Sequence, residues 1–248
     1  FATTAGTAAE VNINYVITDE TAHRKLVCVD PNDIPFLSFN DAEMMMSMPK
    51  GLTASTGMDA LTHAIEGYIT LAANPLTDLL CWNSIKFIAE NLKNAVDNGK
   101  DVQAREGMAY GSYVAGMAFS NVGLGIVHSM AHPLGARFDT PHGVANALLL
   151  PYVMEYNKPY CKKKYADIAR AMGICVNDLN EDAAADAAIE AVKKLSLSVN
   201  IPQHLSEIGI KEGDLRQLAE DAFIDPCTGG NPRPTSVEDI LDIYKTAL

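Results

Sequence analysis

The hydrophobic rhythm of this chain changes once. Residues 11–18, VNINYVIT, place Val11, Ile13, Tyr15 and Ile17 at alternate positions among mostly polar neighbours. That period of two predicts a half-buried strand. Residues 25–29, KLVCV, follow the turn-like TDETAH and predict a second short strand, and residues 36–39 a third. After Asp41 the apolar spacing lengthens to three and four, with Pro, Gly or Asn as punctuation. Helices are expected over 53–70, 75–97, 102–119, 144–156, 163–172, 181–198, 211–223 and 236–247. The reading is a mainly α fold, with a small β-rich start over residues 1–42 and an all-helical domain over 43–248. No fixed-period repeat or low-complexity linker interrupts it, and Pro202 and TGGNPRP at 228–234 read as local turns.

Composition narrows the function. The chain has 248 residues, 48% hydrophobic and 20% charged, which is ordinary for a globular protein with a core. Its net charge of −12 disfavours phosphate backbones and anionic membranes, so neither nucleic acid nor membrane is expected as a partner. The five cysteines are odd in number and none stands in a C-x-x-C spacing. That argues against a disulfide framework or thiolate zinc site and suits a reducing cytoplasm. No apolar run is long enough to span a bilayer. The opening FATTAGTAAE lacks the basic region and apolar core of a signal peptide, and it reads as a loop from the middle of something longer.

Two groups of residues carry candidate chemistry. In GMDALTHAIEG, residues 57–67, Asp59 and His63 are four apart in a helical pattern and project from one face. In VHSMAHPLGARFDTPHG, residues 127–143, His128 and His132 are again four apart, Pro133 is expected to break the helix, and Pro-His-Gly at 141–143 reads as a new helix start bearing His142. A carboxylate and imidazoles so placed can chelate one divalent ion. Taken singly, an Asp–His pair such as Asp59–His63 is more often a surface pair or a capped core histidine. Together, set among small apolar residues, the two groups favour a metal. One carboxylate with neutral imidazoles suits Fe²⁺ or Zn²⁺ over Ca²⁺ or Mg²⁺, and the donor set does not choose between iron and zinc.

The same motifs carry a resemblance. GMDALTHAIEGY, FSNVGLGIVHSMAHPLGA and TPHGVANALLLPYVMEYN resemble those of the iron-containing (group III) alcohol dehydrogenases, and TTAGTAAE, INYVIT and CTGGNPR extend the likeness to both ends. The resemblance implies that Asp59, His63, His128 and His142 are the metal ligands and that His132 lies near the metal without binding it. It implies that Thr4, Gly6 and Thr7 form a loop approaching an NAD dinucleotide, that Asn14 and Lys25 face that cofactor from the strands, and that Phe119 and Cys227 line the substrate pocket. It also implies an upstream α/β nucleotide-binding domain with a G-G-G-S phosphate loop. No such loop occurs in this sequence. The nearest glycine cluster, Gly123-Leu-Gly125, lacks a preceding strand and reads as close helix packing. The expected fold is therefore a helical metal-binding domain preceded by a few strands of an otherwise absent nucleotide-binding domain.

The implied activity is metal-dependent interconversion of short diols or alcohols with aldehydes, with NAD(H) as hydride carrier and the metal as Lewis acid. His132 is the candidate proton relay, with an orienting role as its alternative. For Lys25 a solvated edge position, for Phe119 ordinary helix-end packing and for Cys227 a small buried residue are the competing readings. The competing functions are a related polyol dehydrogenase, a metallohydrolase and a non-catalytic metal-binding fragment. No H-E-x-x-H pairing supports the hydrolase. The expected partners are a small alcohol or aldehyde and, through the upstream part, a second copy in a homodimer.

Overall fold

A computed structural model describes residues 1–22 and 24–248. Two strands, β1 (Asn14–Asp19) and β2 (Arg24–Val29), pair antiparallel with Asn14 opposite Val29. The expected third strand over 36–39 does not form. Pro35 lacks an N–H, Phe36 lies fully exposed, and Phe39 stacks on Phe1 at 4.5 Å. With no neighbouring edge to pair with, an apolar run of four residues has nowhere to place its backbone hydrogen bonds.

Among the described residues eight α-helices follow: α1 (Lys50–Ile69), α2 (Pro75–Asp97), α3 (Val102–Val122), α4 (Ile126–Phe138), α5 (His142–Ala171), α6 (Glu181–Ser198), α7 (Leu215–Phe223) and α8 (Val237–Ala247). Their starts are capped where the sequence offers oxygen. Asn74 accepts from Leu76 and Thr77 at the head of α2, Asp101 from Ala104 at α3, Asn180 from Ala183 at α6, and Ser236 from Asp239 at α8. Among the described residues no single helix is long and apolar enough to cross a membrane.

Two proline expectations are corrected. α4 continues through Pro133 to Phe138 and ends at Asp139, in the left-handed region with φ 52°. α5 runs unbroken through Pro151 and Pro159, where two helices were expected. Each proline forfeits one backbone bond. In α5 the loss is outweighed because the buried stripe of Leu149, Leu150, Val153, Met154, Cys161, Tyr165 and Ile168 continues past both prolines. The helix expected over 211–223 forms as a one-turn 3-10 segment, Glu212–Asp214, leading into α7.

α1 is the central helix. Every residue from Thr53 to Thr70 is buried except Thr56, and α2, α3 and α5 pack around it. Its small residues, among them Ala54, Ser55, Gly57, Ala60 and Ala64, allow that approach. A helix enclosed on all sides buries its polar groups too, and Asp59, His63 and Glu66 are therefore inside. The β1–β2 ribbon lies against α4, and the Ile13 amide is tied to α3 through the Ser120 hydroxyl at 2.9 Å.

Candidate metal centre

Three helices deliver the ligand candidates. α1 offers Asp59 and His63 one turn apart, α4 offers His128, and α5 offers its first residue, His142. One ligand atom from each lies within 4.8 Å of all the others. The Asp59 Oδ1 carboxylate oxygen is 3.6 Å from His142 Nε2 and 4.0 Å from His128 Nε2, and Asp59 Oδ2 is 4.0 Å from His63 Nδ1. Asp59, His63 and His128 are buried, whereas the His142 side chain is 39% exposed and opens the group to a cavity. Burial holds His63, His128 and His142 below the ordinary imidazole value, most strongly at His128, so the rings present neutral lone pairs.

α5 reaches this group because Gly143 has no side chain. A Cβ there would lie 2.4 Å from the Ser55 carbonyl oxygen of α1. The close approach brings His142 to Asp59.

The unsatisfied atoms test whether the group suits a cation. His63 Nδ1 is buried with no hydrogen-bond partner. The Asn146 amide nitrogen lies 2.7 Å from Asp59 Oδ1, 3.1 Å from His128 Nε2 and 3.0 Å from His142 Nε2. One NH₂ has two protons for those three acceptors, and the Asn146 carbonyl oxygen is itself buried without a partner. Four lone pairs thus converge with too few protons to fill them. A divalent first-row ion suits this set of three imidazoles and one carboxylate.

Three residues that sequence reasoning missed complete the surroundings. Asn146 stands one turn after His142 on α5, a spacing that was readable. Glu66 is outside the four-residue ligand group. Its Oε2 lies 2.6 Å from His128 Nδ1, and its Oε1 accepts the Val127 amide at 2.7 Å. Burial pushes this carboxyl up to about 8. Asp225 Oδ2 lies 2.7 Å from His132 Nδ1. Burial raises Asp225, but His132 and the Cys227 amide outweigh it and hold the carboxyl below its ordinary range. Asp225 lies 93 positions from its partner, and no local spacing announces it.

A cavity of about 420 Å³ opens over the group. His63, His128, His132, His142, Phe119 and Cys227 line it, as do Thr7, Asn14 on β1 and Lys25 on β2. Phe119 stacks on the His63 ring at 4.4 Å, so it packs and lines the cavity at once. Lys25 donates to Thr18 Oγ1 at 2.6 Å. Thr4 lines a separate depression that shares Thr7. Gly6 is not at the cavity and packs on α1, where a Cβ would meet Thr56 Cβ at 2.7 Å. Of the two glycines expected to serve close helix packing, Gly123 does not and Gly125 does. Gly123 ends α3 at φ 74°, and Gly125 leaves room for Glu66, whose Oε1 would be 2.9 Å from an added Cβ.

Comparison with known proteins agrees with the geometry. The sequence profile of the Fe-containing alcohol dehydrogenase family, C-terminal, matches residues 53–248. The chain is 58% identical to lactaldehyde reductase of Escherichia coli K12 over 245 residues, covering 99% of this chain and 64% of the relative. It is 48% identical to 1,3-propanediol dehydrogenase of Klebsiella pneumoniae, again over 99% of this chain and 64% of the relative. The crystal structure of a 1,3-propanediol oxidoreductase superposes with a TM-score of 0.97 at 48% identity, covering 99% of this chain and 64% of that one. The chain thus spans 64% of the length of these relatives. With the ligand helices, the profile and the whole-chain superposition in agreement, this chain belongs to the Fe-containing alcohol dehydrogenase family.

Proposed function

We propose that the chain carries the metal-binding part of a nicotinamide-linked oxidoreductase that interconverts short diols or alcohols with aldehydes. The observation behind this reading is the convergence of four ligand atoms within 4.8 Å beneath a 420 Å³ cavity. The substrate class takes support from the names of the relatives, a lactaldehyde reductase and 1,3-propanediol dehydrogenases. Fe²⁺ is the proposed ion, with Zn²⁺ compatible with the same donors.

When bound, the ion supplies a Lewis acid for the substrate oxygen and the NAD dinucleotide supplies or takes the hydride. Asp59, His63, His128 and His142 would hold the ion. Phe119 and Cys227 shape the space above it, and burial pushes the Cys227 thiol well up, keeping it a neutral wall and not a nucleophile. Thr7, Asn14 and Lys25 supply polar groups and one cation to the cavity lining, where a dinucleotide would lie. With Nδ1 engaged by Asp225, His132 keeps Nε2 to hold or pass the alcohol proton. The cytoplasmic placement is retained as part of this reading, supported by five free cysteines.

A second reading is a metal-binding unit that does not turn over on its own. One experiment separates the two. The purified chain is loaded with Fe²⁺ or Zn²⁺, its metal content is measured by elemental analysis, and absorbance at the reduced-nicotinamide band is followed with NAD⁺ and propane-1,2-diol. Stoichiometric metal with turnover supports the oxidoreductase. Metal without dinucleotide binding supports the second reading. His128→Ala is expected to abolish stoichiometric metal, and unchanged metal content in that variant would refute the ligand assignment.

A further inference from the structure

We propose that Glu66 is a positioning residue for the metal, setting the proton and the orientation of the His128 ring so that Nε2 presents a lone pair to the ion. The proposal rests on the metal reading above and adds a residue outside the four-ligand group.

Glu66 lies two turns beyond Asp59 on α1, inside the molecule and 2% exposed. Both its oxygens are in use. Oε1 accepts the Val127 amide at 2.7 Å, and Oε2 meets His128 Nδ1 at 2.6 Å. One carboxylate therefore grips the backbone and the ring of the first turn of α4. The space it occupies exists because Gly125 has no side chain. An imidazole has one proton to distribute between two nitrogens in its neutral form. A proton on Nδ1, facing the carboxylate, leaves Nε2 bare, and Nε2 is the atom that faces Asp59 Oδ1. Carboxylate–histidine–metal chains commonly fix tautomer and ring direction in this way.

Glu66→Gln tests this with little change of volume. Its amide has one acceptor oxygen where two N–H groups need one. Either Val127 loses its acceptor or an NH₂ faces His128 Nδ1, which moves the ring proton to Nε2, where the ion must bind. Zn²⁺ affinity is measured by chelator competition on the full 248-residue chain. Glu66→Gln is expected to weaken Zn²⁺ by roughly 10–100-fold, the range for partners of this kind. A merely structural role would lower the melting temperature and leave the affinity of the folded protein unchanged. Equal affinity in folded wild type and Glu66→Gln would overturn the proposal. A second measurement needs no variant. In the ¹⁵N-histidine-labelled, zinc-loaded wild type, His128 is expected to carry its proton on Nδ1 and to show a metal-shifted Nε2. A proton on Nε2 would overturn the proposal even if Glu66→Gln fails to fold. Wild type that binds no Zn²⁺ at all would overturn the metal reading itself, and this proposal with it.

Discussion

Asn146 serves three acceptors with two protons, and a bound ion would take over the same lone pairs. Asn146→Ala strips the donor from buried groups, which costs about 1–3 kcal/mol in the metal-free chain. Urea unfolding with and without Zn²⁺ measures it, and Zn²⁺ is expected to recover most of the loss. An equal loss in both conditions would show that the ion does not use these atoms. The titrating groups give the metal-free chain an acid limb and an alkaline limb. Burial holds His63, His128 and His142 below 6.5, the value to which unfolding returns them. As pH falls through 6.5 the unfolded chain takes protons that the native rings refuse, so stability falls. Glu66 has the opposite sign. Burial raises it from 4.5 to about 8, so the native state keeps a proton that the unfolded chain has released, and stability falls as pH rises toward 8. The metal-free urea midpoint should peak between these limbs, and an acid limb without slope would contradict buried neutral histidines.

At the scale of elements, the site depends on how closely α5 approaches α1. Gly143→Ala would push a methyl group to 2.4 Å from the Ser55 carbonyl oxygen. The start of α5 must move, at a cost of about 1–3 kcal/mol, and His142 moves with it. Weaker Zn²⁺ binding together with a lower unfolding midpoint is the expected result. Gly213→Ala, with nothing within 4 Å of its Cβ, is the control and should stay within about 0.5 kcal/mol of wild type. The helices also show how far pattern reading reaches. The i,i+4 spacing of Asp59 and His63 identified their shared face on α1, and the starts expected at residues 75 and 102 are those of α2 and α3. Pro133 and Pro159 misled it, because a proline's local cost is set against burial that extends well beyond one turn. Residues 36–39 misled it in the other direction, since a strand exists only where a second edge accepts its hydrogen bonds.

For the molecule as a whole, an ion held by α1, α4 and α5 would link three helices of the core. Zn²⁺ at about a hundred times its dissociation constant should add about 2.7 kcal/mol to unfolding. Calorimetry is expected to show a higher melting temperature that depends on Zn²⁺ concentration, with the shift lost in His128→Ala. A shift that persists in His128→Ala would place the binding elsewhere. Much of this was legible in the linear chain. The change from period two to period three and four marked a short ribbon before a helical body, and the spacings brought forward Asp59, His63, His128, His132 and His142, of which the resemblance implied all but His132 as ligands. Asn146 beneath the ligands, Glu66 behind His128 and Asp225 behind His132 emerged only from the fold. Periodicity records which face of its own helix a residue occupies. Which other helix lies against that face is fixed by packing between segments distant in the chain, and a buried carboxylate finds its imidazole there, 62 or 93 residues away.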